Sequence, residues 1–383
     1  MLSAVHRPRM LIRASILCAI AVVGIGGGTA QARERSLTVM TQNLYQGTEF
    51  ANIRSLPATP TFTQALGATT ADYATYVATR FPDRATQIAA EIAQNQPDLV
   101  GLQEVATWHR GAVNPLDPFA LPNAVNEDFT QELVAALAAD GVQYAPVSRR
   151  DNNFTLAFPI VTSLAPFPAC CTAVGMVESG VILARRDLPP GQLKLSNPRS
   201  GTYATLGPFF SNTLDPHPPH GFQFTNSWQS IDAKVRGKSF RFITTHLDGL
   251  FPFGLASGPQ ATELLNGPAN TSLPVIVTGD FNSGPLSDPA AYNILTGALS
   301  DTWTAAGLGS PPLTCCHLAF NDRVNDPNAV YTDNIDHIFS RGDFTVLDEH
   351  LVGDRAPVSP PANFIWPSDH AGMVATLGIG SHG

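Results

Sequence analysis

The segment VIVTGDFNSGP, at residues 275–285, limits the possible folds more than any other part of the sequence. Val275, Ile276 and Val277 form an apolar, β-branched run between Pro274 and a glycine, which predicts a strand covered on both faces. Strands of this kind are typical of α/β sheets. Ligands bind such sheets beyond the carboxyl ends of the strands, so the residues that follow this run are candidates for a site.

Asp280 and Asn282 come directly after the predicted strand. Residues two apart in an extended chain point to the same side, so both side chains should face one space beyond the sheet. Gly, Asp, Asn and Ser also form ordinary turns, and a turn without catalytic function is the alternative for this segment alone. The ends of the other strands must decide between the two interpretations.

Residues 1–32 have the pattern of an export signal peptide. Arg7, Arg9 and Arg13 precede the apolar run SILCAIAVVGI, and the tripeptide AQA at residues 30–32 fits a cleavage site. An uncleaved membrane anchor is the alternative, but the apolar run is about half the length needed to span a bilayer. The sequence therefore predicts a secreted or periplasmic protein.

The mature chain would be strongly acidic. Removing residues 1–32 leaves 19 Lys and Arg against 31 Asp and Glu, a net charge of about −12. The sequence has no basic arm or stripe, which argues against strong nonspecific binding of nucleic acid by side chains alone. A bound divalent cation can nevertheless supply positive charge locally.

Predicted strands and helices alternate in the first half of the chain, and strands dominate the second half. Strands at residues 37–42 and 99–105 flank an irregular insertion of about thirty residues and a helix that begins at Pro82. A second helix spans about 127–139. Hairpins follow, for example QSIDAKV with SFRFITTHLDG. This order predicts mixed sheets with helices outside.

Polar residues recur at the ends of these predicted strands. Carboxylates and amides are ligands that suit Mg²⁺, and histidines transfer protons, so the set fits hydrolysis of a phosphate ester by metal-activated water. Each residue alone also has a structural explanation, such as a turn cap or a satisfied histidine at a sheet edge. The candidate residues are Asn43, Glu104, Glu178, His246, Asp280, Asn282, Asp336, Asp369 and His370.

Seven motifs carry a resemblance to a known family. They are TQNLY, LVGLQEV, ESGVILAR, TTHLDG, VTGDFNSGP, NIDHIF and SDHAGMVATL. In this order and spacing they resemble the endonuclease/exonuclease/phosphatase superfamily, which includes deoxyribonucleases, apurinic endonucleases, sphingomyelinases and inositol polyphosphate phosphatases. The resemblance covers residues 38–378. It implies one α/β domain, a four-layer sandwich of two mixed β-sheets flanked by helices, with the strand ends in one cleft.

The resemblance also implies functions for the oxygen ligands. Asn43 and Glu104 would hold the divalent cation, which is Mg²⁺ or alternatively Mn²⁺ or Ca²⁺. Asp369 would be a further ligand or would lie just behind the ligands. Asp280 would orient or deprotonate the attacking water, and Asn282 would help to fix the phosphate.

Two histidines would flank the scissile phosphate, again by resemblance. His246 and His370 would act as leaving-group acid and transition-state stabiliser. Glu178 matches the glutamate that partners the first histidine in deoxyribonucleases. Asp336 would orient His370.

The predicted function is a secreted, metal-dependent phosphodiesterase that acts as a monomer on nucleic acid or phospholipid. Ala106 and Met176 stand where deoxyribonucleases carry an Arg and a Tyr that grip duplex DNA, which disfavours that mode of binding. The apolar loop Gly249–Leu255 would allow transient contact with a membrane, as in sphingomyelinase-like lipid phosphodiesterases, although such loops more often pack on their own protein. A phosphomonoesterase and a non-catalytic binding or toxin-like module are the alternatives.

The four cysteines of the predicted mature chain form two adjacent pairs, Cys170 with Cys171 and Cys315 with Cys316. Export favours disulfides; a metal site is the alternative, but adjacent cysteines lack the usual spacer of two to four residues, and no second Cys/His pair completes a tetrahedral set. Bonding neighbours closes a strained ring, whereas linking the pairs closes a loop of about 145 residues and restricts the unfolded chain by roughly 4 to 5 kcal/mol. We therefore predict at least one cross-link between the pairs at the cleft rim; free or neighbour-bonded cysteines are the alternative.

Overall fold

The structure is a computed structural model that describes residues 36–211, 221–249, 255–317 and 323–379. Only the backbone is described at residues 152–154, 210, 211, 221 and 222. The predicted signal peptide and residues 250–254 of the apolar loop lie outside these ranges. Within them, no helix has the length and apolar character needed to cross a membrane.

The described ranges contain fifteen strands and seven helices. The strands are β1 (Ser36–Asn43), β2 (Leu99–Ala112), β3 (Val125–Asp128), β4 (Tyr144–Val161), β5 (Cys171–Arg185), β6 (Leu193–Thr202), β7 (Phe209–Ser211), β8 (Gly221–Gln223), β9 (Ser227–Val235), β10 (Lys238–His246), β11 (Val275–Asp280), β12 (Ser300–Asp301), β13 (Asp336–Arg341), β14 (Phe344–Val352) and β15 (Gly372–Ile379). The helices are α1 (Ala51–Arg54), α2 (Phe62–Ala78), α3 (Phe81–Asn95), α4 (Phe129–Ala139), α5 (Ser257–Asn266), α6 (Ala290–Thr296) and α7 (Thr302–Ala305), and a 3₁₀ turn covers Arg323–Asn325.

The larger sheet has the strand order β14-β15-β1-β2-β5-β4, with β3 paired to β2. β1 and β2 run parallel, and the other pairs of this sheet are antiparallel. Helices α3 and α4 cover its outer face, to which they contribute Ile88, Ile92 and Leu133. Pro82 lies in the first turn of α3, where its missing N–H leaves no hydrogen bond unmade.

The second sheet has the order β12-β13-β11-β10-β9-β6, in which only β10 and β11 run parallel. Its outer face packs against α5 and α6 through Leu264 and Leu295. The inner faces of the two sheets pack on each other through alternate residues of their strands, among them Leu37, Phe242 and Ile276. The layers are therefore helix, sheet, sheet and helix, which confirms the predicted four-layer sandwich.

One segment differs from its prediction. The thirty residues after β1 are largely helical, whereas an irregular insertion was expected. The reason lies at the start of α2, where the Thr61 side chain accepts a hydrogen bond from the Gln64 N–H and the Gln64 side chain accepts one from the Thr61 N–H. This capping box satisfies backbone groups at the helix start and favours a helix in a stretch rich in Ala and Thr.

Candidate active site

The strand pairing brings the candidate residues to one edge of the sandwich. Asn43 ends β1, while His246 and Asp280 end the parallel strands β10 and β11 in register with each other. Asp336 begins β13, which runs antiparallel to β11, so it lies opposite Asp280. His370 immediately precedes the final strand, whose start meets the end of β1. Strand direction and register therefore place both sets of strand ends at the same cleft.

Asn43 connects the two sheets at the floor of this cleft. Its Nδ2 donates to Glu104 Oε1 and to Asp280 Oδ2, both at 3.0 Å, and its Oδ1 accepts from the Tyr45 N–H at 2.9 Å. Glu104 Oε2 accepts from the Gln46 N–H at 2.9 Å. One buried amide thus holds a carboxylate from each sheet in place.

Glu104 occupies a bulge in β2 rather than a strand end. The register of β2 on β5 shifts between Leu102 and Val105, and Glu104 has a φ of +52°, in the left-handed region. A bulge turns one side chain out of the regular alternation, often next to an active site. β2 then continues to Ala112, beyond the predicted end of the strand at residue 105.

Two histidines face the same carboxylate oxygen. Nε2 of His246 lies 3.6 Å and Nε2 of His370 lies 3.8 Å from Asp280 Oδ2. Asn282 has a left-handed φ of +49°, and its Nδ2 lies 3.1 Å from His246 Nε2 while donating to the Leu247 carbonyl at 2.9 Å. The Asn282 N–H donates to Asp280 Oδ1 at 2.9 Å. Asp280 and Asn282 therefore occupy one cleft, as the spacing of the two residues suggested.

His370 forms a buried pair with Asp336. Nδ1 of His370 lies 2.8 Å from Asp336 Oδ2, and both side chains are at most 5% exposed. Burial by itself lowers the pKa of His370, but the carboxylates of Asp336, Asp369 and Asp280 outweigh it and raise that pKa well above its ordinary value. The pair therefore favours a protonated ring with Nε2 directed at the cleft.

His246 is also biased toward its charged form. Burial lowers its pKa, yet the charges of Asp280, Glu104 and Glu178 raise it above the ordinary value. Glu178 Oε1 accepts from the Glu104 N–H at 3.2 Å, so the glutamate supports the bulge and acts on His246 by its charge. Glu178 therefore acts on two residues of the cleft, on Glu104 through a hydrogen bond and on His246 through its charge.

Asp369 completes the acidic side of the cleft. Its Oδ1 lies 4.0 Å from His370 Nε2. Burial and the charge of Glu104 raise the pKa of Asp369 to about 7, against the opposing effects of His370 and Arg84. Two carboxylates held together in a recess repel each other, and a cation between them relieves that repulsion.

Glu49 was not among the residues predicted from sequence, yet its charge acts on the same recess. Its recessed position, followed by the charges of Glu104 and Asp369, raises the pKa of Glu49, while Arg54 and His370 act in the opposite direction. The side chain is 41% exposed, so it lines the opening of the cleft rather than its floor. Glu49 lies in a loop six residues after Asn43, where neither strand nor helix periodicity points to it.

Arg84 braces two of the loops that carry site residues. This guanidinium is fully buried and donates to the carbonyls of Leu44 and Tyr45, next to Asn43, and to the carbonyl of Pro367, three residues before His370. Its Nε donates to the Thr79 carbonyl. The sequence carries a signal for it, because position 84 shares a helix face with Ile88 and Ile92, where a charge is unexpected.

Ser368 fixes the same two loops to each other. Its Oγ donates to the Asn43 carbonyl at 2.7 Å and accepts from the His370 N–H at 3.2 Å. Ser368 is fully buried. The loops that carry Asn43 and His370 are therefore joined directly as well as through Arg84.

The cysteines are bonded differently from the prediction. Each joins its neighbour, Cys170 to Cys171 and Cys315 to Cys316, so the predicted cross-link is wrong. Cys171 begins β5, seven residues and about 23 Å along the strand from Glu178, whereas the second pair adjoins His370. A cross-link that closes a long loop can form only where the fold brings the sulfurs together. This fold does not bring the two cysteine pairs together.

Comparison with known proteins places this cleft in a family. The model of the endonuclease/exonuclease/phosphatase family matches residues 51–370, most of the chain. The protein belongs to the endonuclease/exonuclease/phosphatase family. Comparison with curated protein sequences gives no match. Members of the family hydrolyse phosphate esters with divalent metals, so this family member is a metal-dependent phosphoester hydrolase.

Solved structures of similar fold come from several branches of the family. An endonuclease/exonuclease/phosphatase family protein from Leptotrichia buccalis is 16% identical with a TM-score of 0.50, over 89% of this chain and 99% of that one. A mannosyl-6-phosphatase from Bacteroides thetaiotaomicron is 18% identical, with a TM-score of 0.48 over 89% and 99% of the chains. TDP2 from D. rerio, complexed with a single-strand DNA product, is 16% identical, with a TM-score of 0.47 over 89% and 98%. At these identities the likeness concerns the fold.

The donor atoms of this family member fit a divalent cation. Glu104 and Asp369 supply carboxylate oxygens on one side of the cleft, and the Asn43 amide adjoins Glu104 through its Nδ2, while its Oδ1 accepts from the Tyr45 N–H. Oxygen donors of this kind suit Mg²⁺, Mn²⁺ and Ca²⁺ better than softer metals. Ligand atoms of Glu104, His246 and Asp280 also lie within 4.8 Å of one another. Burial and the charge of Glu104 raise the pKa of Asp369 although His370 and Arg84 oppose them, and a cation bound beside it would stabilise its charged form.

Proposed function

We propose that this protein is an exported, Mg²⁺-dependent phosphodiesterase whose substrate is a nucleic acid or a phospholipid. One observation carries the proposal. Nε2 of His246 and Nε2 of His370 flank Asp280 Oδ2 at 3.6 and 3.8 Å, so two proton-carrying rings surround the carboxylate best placed to hold a water. Hydrolysis of a diester needs such an arrangement, because the water must lose a proton and the departing alkoxide must gain one.

The proposed division of work follows from the contacts. Asp280 accepts the proton of the attacking water or orients that water. His370, kept protonated by Asp336, donates a hydrogen bond to the charge that develops on the phosphate oxygens. His246 gives its proton to the leaving oxygen. A bound Mg²⁺, held by Asn43, Glu104 and Asp369, supplies positive charge against the phosphate.

The charge of the cleft supports a diester over a monoester. Glu49, Glu104, Asp280, Asp336 and Asp369 gather around two histidines. A phosphate monoester carries up to two negative charges at neutral pH and a diester carries one, so the monoester meets more repulsion from these carboxylates.

The proposal does not include a grip on duplex DNA. Ala106 and Met176 are fully buried, paired with Glu178 and Trp108 across the β2–β5 ladder. They offer no exposed polar group to a minor groove. The diester is therefore expected to be a single strand or a lipid headgroup.

The test compares a diester with a monoester on the mature chain. Bis(p-nitrophenyl) phosphate should be hydrolysed with Mg²⁺, p-nitrophenyl phosphate should be hydrolysed more slowly, and EDTA should abolish both activities until Mg²⁺ is restored. Mn²⁺ and Ca²⁺ are compared in the same buffer. Faster hydrolysis of the monoester would indicate a phosphatase, and substrate binding without turnover would indicate a binding module.

A panel of natural substrates then identifies the substrate class. DNA, RNA, sphingomyelin and inositol phosphates are offered to the enzyme in one buffer, with Asp280→Asn as the background control. Preferential cleavage of sphingomyelin would favour the lipid phosphodiesterase. Sedimentation of the same sample should show a monomer.

Export has its own support and its own test. The basic, apolar and small-residue segments of residues 1–32 match a signal peptide, and the two disulfides suit an oxidising compartment. Expression in a bacterium followed by fractionation and amino-terminal sequencing should give a periplasmic or secreted chain that begins at Arg33. An uncleaved chain in the membrane fraction would overturn export by this signal.

A further inference from the structure

The disulfide between Cys315 and Cys316 lies against the histidine assigned to the reaction. The two sulfurs and a ring nitrogen of His370 lie within 4.8 Å of one another. Cys315 is fully buried and Cys316 is partly exposed, so one sulfur of the bond is open to attack from solvent. A reducible bond is therefore in direct proximity to His370.

The backbone holds this disulfide and the histidine in a fixed relation. Thr314 and Cys315 donate their N–H groups to the Asp333 carbonyl at 2.8 and 2.9 Å, and the Ala371 N–H donates to the Thr314 carbonyl at 2.8 Å. Thr314 Oγ1 also accepts from the Asp336 N–H at 3.1 Å. The segment that carries the cysteines is thus bonded to Asp336 itself and to Ala371, the residue after His370.

We propose that reduction of this disulfide creates a second metal site, in which Cys315, Cys316 and His370 bind a thiophilic divalent cation such as Zn²⁺. Tetrahedral zinc has bonds of about 2.3 Å to sulfur and about 2.0 Å to nitrogen, so its ligand atoms stand about 3.5 to 3.8 Å apart. A ring nitrogen of His370 already lies within 4.8 Å of both sulfurs, and after reduction the two sulfurs must separate from their bonded distance to reach that spacing. Two thiolates and an imidazole are ligands that zinc prefers over the hard cations of the main site.

The chemistry balances with a phosphine as reductant. The phosphine takes up oxygen from water and becomes a phosphine oxide, the S–S bond breaks, and the two sulfurs gain the two hydrogens of that water as thiols. Binding of Zn²⁺ then releases both thiol protons and the proton on the ring nitrogen of His370 that becomes a ligand. In the oxidised form the sulfurs are not thiolates, so the site exists only after reduction.

The consequence for catalysis rests on the proposed function of His370. A zinc ion on this ring removes it from the phosphate, and Zn²⁺ should inhibit the reduced enzyme but not the oxidised enzyme through this site. Mg²⁺ should not compete at comparable concentration, because it binds thiolates poorly. The metal binding itself does not depend on the reaction being a phosphodiester hydrolysis.

The chain contains its own control for the experiment. Cys170 and Cys171 form the same kind of neighbour-bonded pair, but no histidine or carboxylate groups with them to form a potential metal site among the residues that the structure describes. A general effect of reduced adjacent cysteines would appear with either pair. An effect specific to His370 would appear only with Cys315 and Cys316.

The experiment uses the mature chain, reduced with a trialkylphosphine, freed of reductant without oxygen, and titrated with Co²⁺ and Zn²⁺. The reduced wild type should bind one equivalent of Co²⁺ with a thiolate-to-cobalt absorption band, which Zn²⁺ displaces, and the oxidised protein should show no band. The double variant Cys170→Ser with Cys171→Ser should keep the band, and Cys315→Ser with Cys316→Ser should lose it. His370→Ala should weaken Co²⁺ binding by about 10- to 100-fold.

Several results would overturn the proposal. A reduced wild type without the band, or a band that follows Cys170 and Cys171, would exclude the site without any variant of the cleft. A band unaffected by His370→Ala would exclude the histidine as a ligand. Because the absorption is read without substrate, a protein that hydrolyses no diester would refute the proposed function and leave this metal site to be judged separately.

Discussion

Replacing Asp336 with Asn should shift the pH dependence of hydrolysis toward acid. Asp336 Oδ2 lies 2.8 Å from His370 Nδ1 in a buried pair, and the Asn side chain keeps the shape and an oxygen that can accept the same hydrogen bond. Removing one partner of a buried ion pair costs about 3–5 kcal/mol. The same loss of the Asp336 charge should lower the pKa of His370, because that carboxylate is the strongest of the effects that raise it.

The assay is kcat/KM for bis(p-nitrophenyl) phosphate with saturating Mg²⁺, measured from about pH 5 to about pH 10. In the wild type the raised pKa of His370 keeps the ring protonated on the alkaline side, so activity that needs the cation persists there. In Asp336→Asn the alkaline limb should move toward acid, and activity near pH 8 should fall by about 10²-fold or more.

Asp301→Asn is the matched control. Asp301 and His337 form a second buried carboxylate–imidazole pair, 3.2 Å apart, whose members are not among the site residues. This variant should lose stability while its alkaline limb stays in place. A limb that is unmoved in Asp336→Asn, or that moves equally in both variants, would refute the inference that Asp336 holds the proton on His370.

Three further predictions concern other parts of the molecule. Asp280→Asn should keep the fold and metal binding but lose about 10²-fold or more in turnover of the diester, and near wild-type rates would contradict its assigned function. Arg84→Lys keeps the charge but loses the planar guanidinium, so each carbonyl left unpaired should cost about 1–3 kcal/mol of stability. Calorimetry should also show weaker Mg²⁺ binding. An unchanged Mg²⁺ affinity would show that Arg84 contributes to stability alone. Burial raises the pKa of Glu349 to about 8, so the folded state retains a proton that the unfolded state has released, and stability should fall as pH rises from about 4.5 to about 8; Glu349→Gln should reduce this slope in urea unfolding, to which Glu91 and Asp369 also contribute, and an unchanged slope would exclude Glu349 as one of its sources.

The ends of the strands were predictable because their chemistry changes abruptly. The buried run before Asp280 and the alternating run before His246 each stop at a polar side chain, and strand direction then fixes where that side chain lies. Sheet order and the bulge at Glu104 were not readable in this way, because they depend on which strands pair. The family resemblance supplied the four-layer arrangement and the common cleft, but neither the strand order nor the bulge.

Other residues of the site were not predicted from the sequence, because their function depends on how the chain packs. Arg84 is an unexpected charge on an apolar helix face, but what it binds is known only once its four backbone carbonyls are located in the fold. Glu49 is one acid in a loop until the fold brings it near Asp369. The predicted cross-link of Cys315 was wrong for a related reason. Chain entropy does not determine which sulfurs the folded backbone places side by side.

The pairing of β1 with β15 also determines when the molecule can become active during its synthesis. The hydrogen bond from Ser368 to the Asn43 carbonyl joins residues 325 positions apart, and His370 is made only just before the last strand. A growing chain that already contains Asn43, Glu104 and Asp280 still lacks the ring that faces them. Contacts this distant in sequence form late. Incomplete chains should therefore be inert, and a ribosome that stalls before residue 370 releases a fragment that cannot hydrolyse the phosphate esters around it.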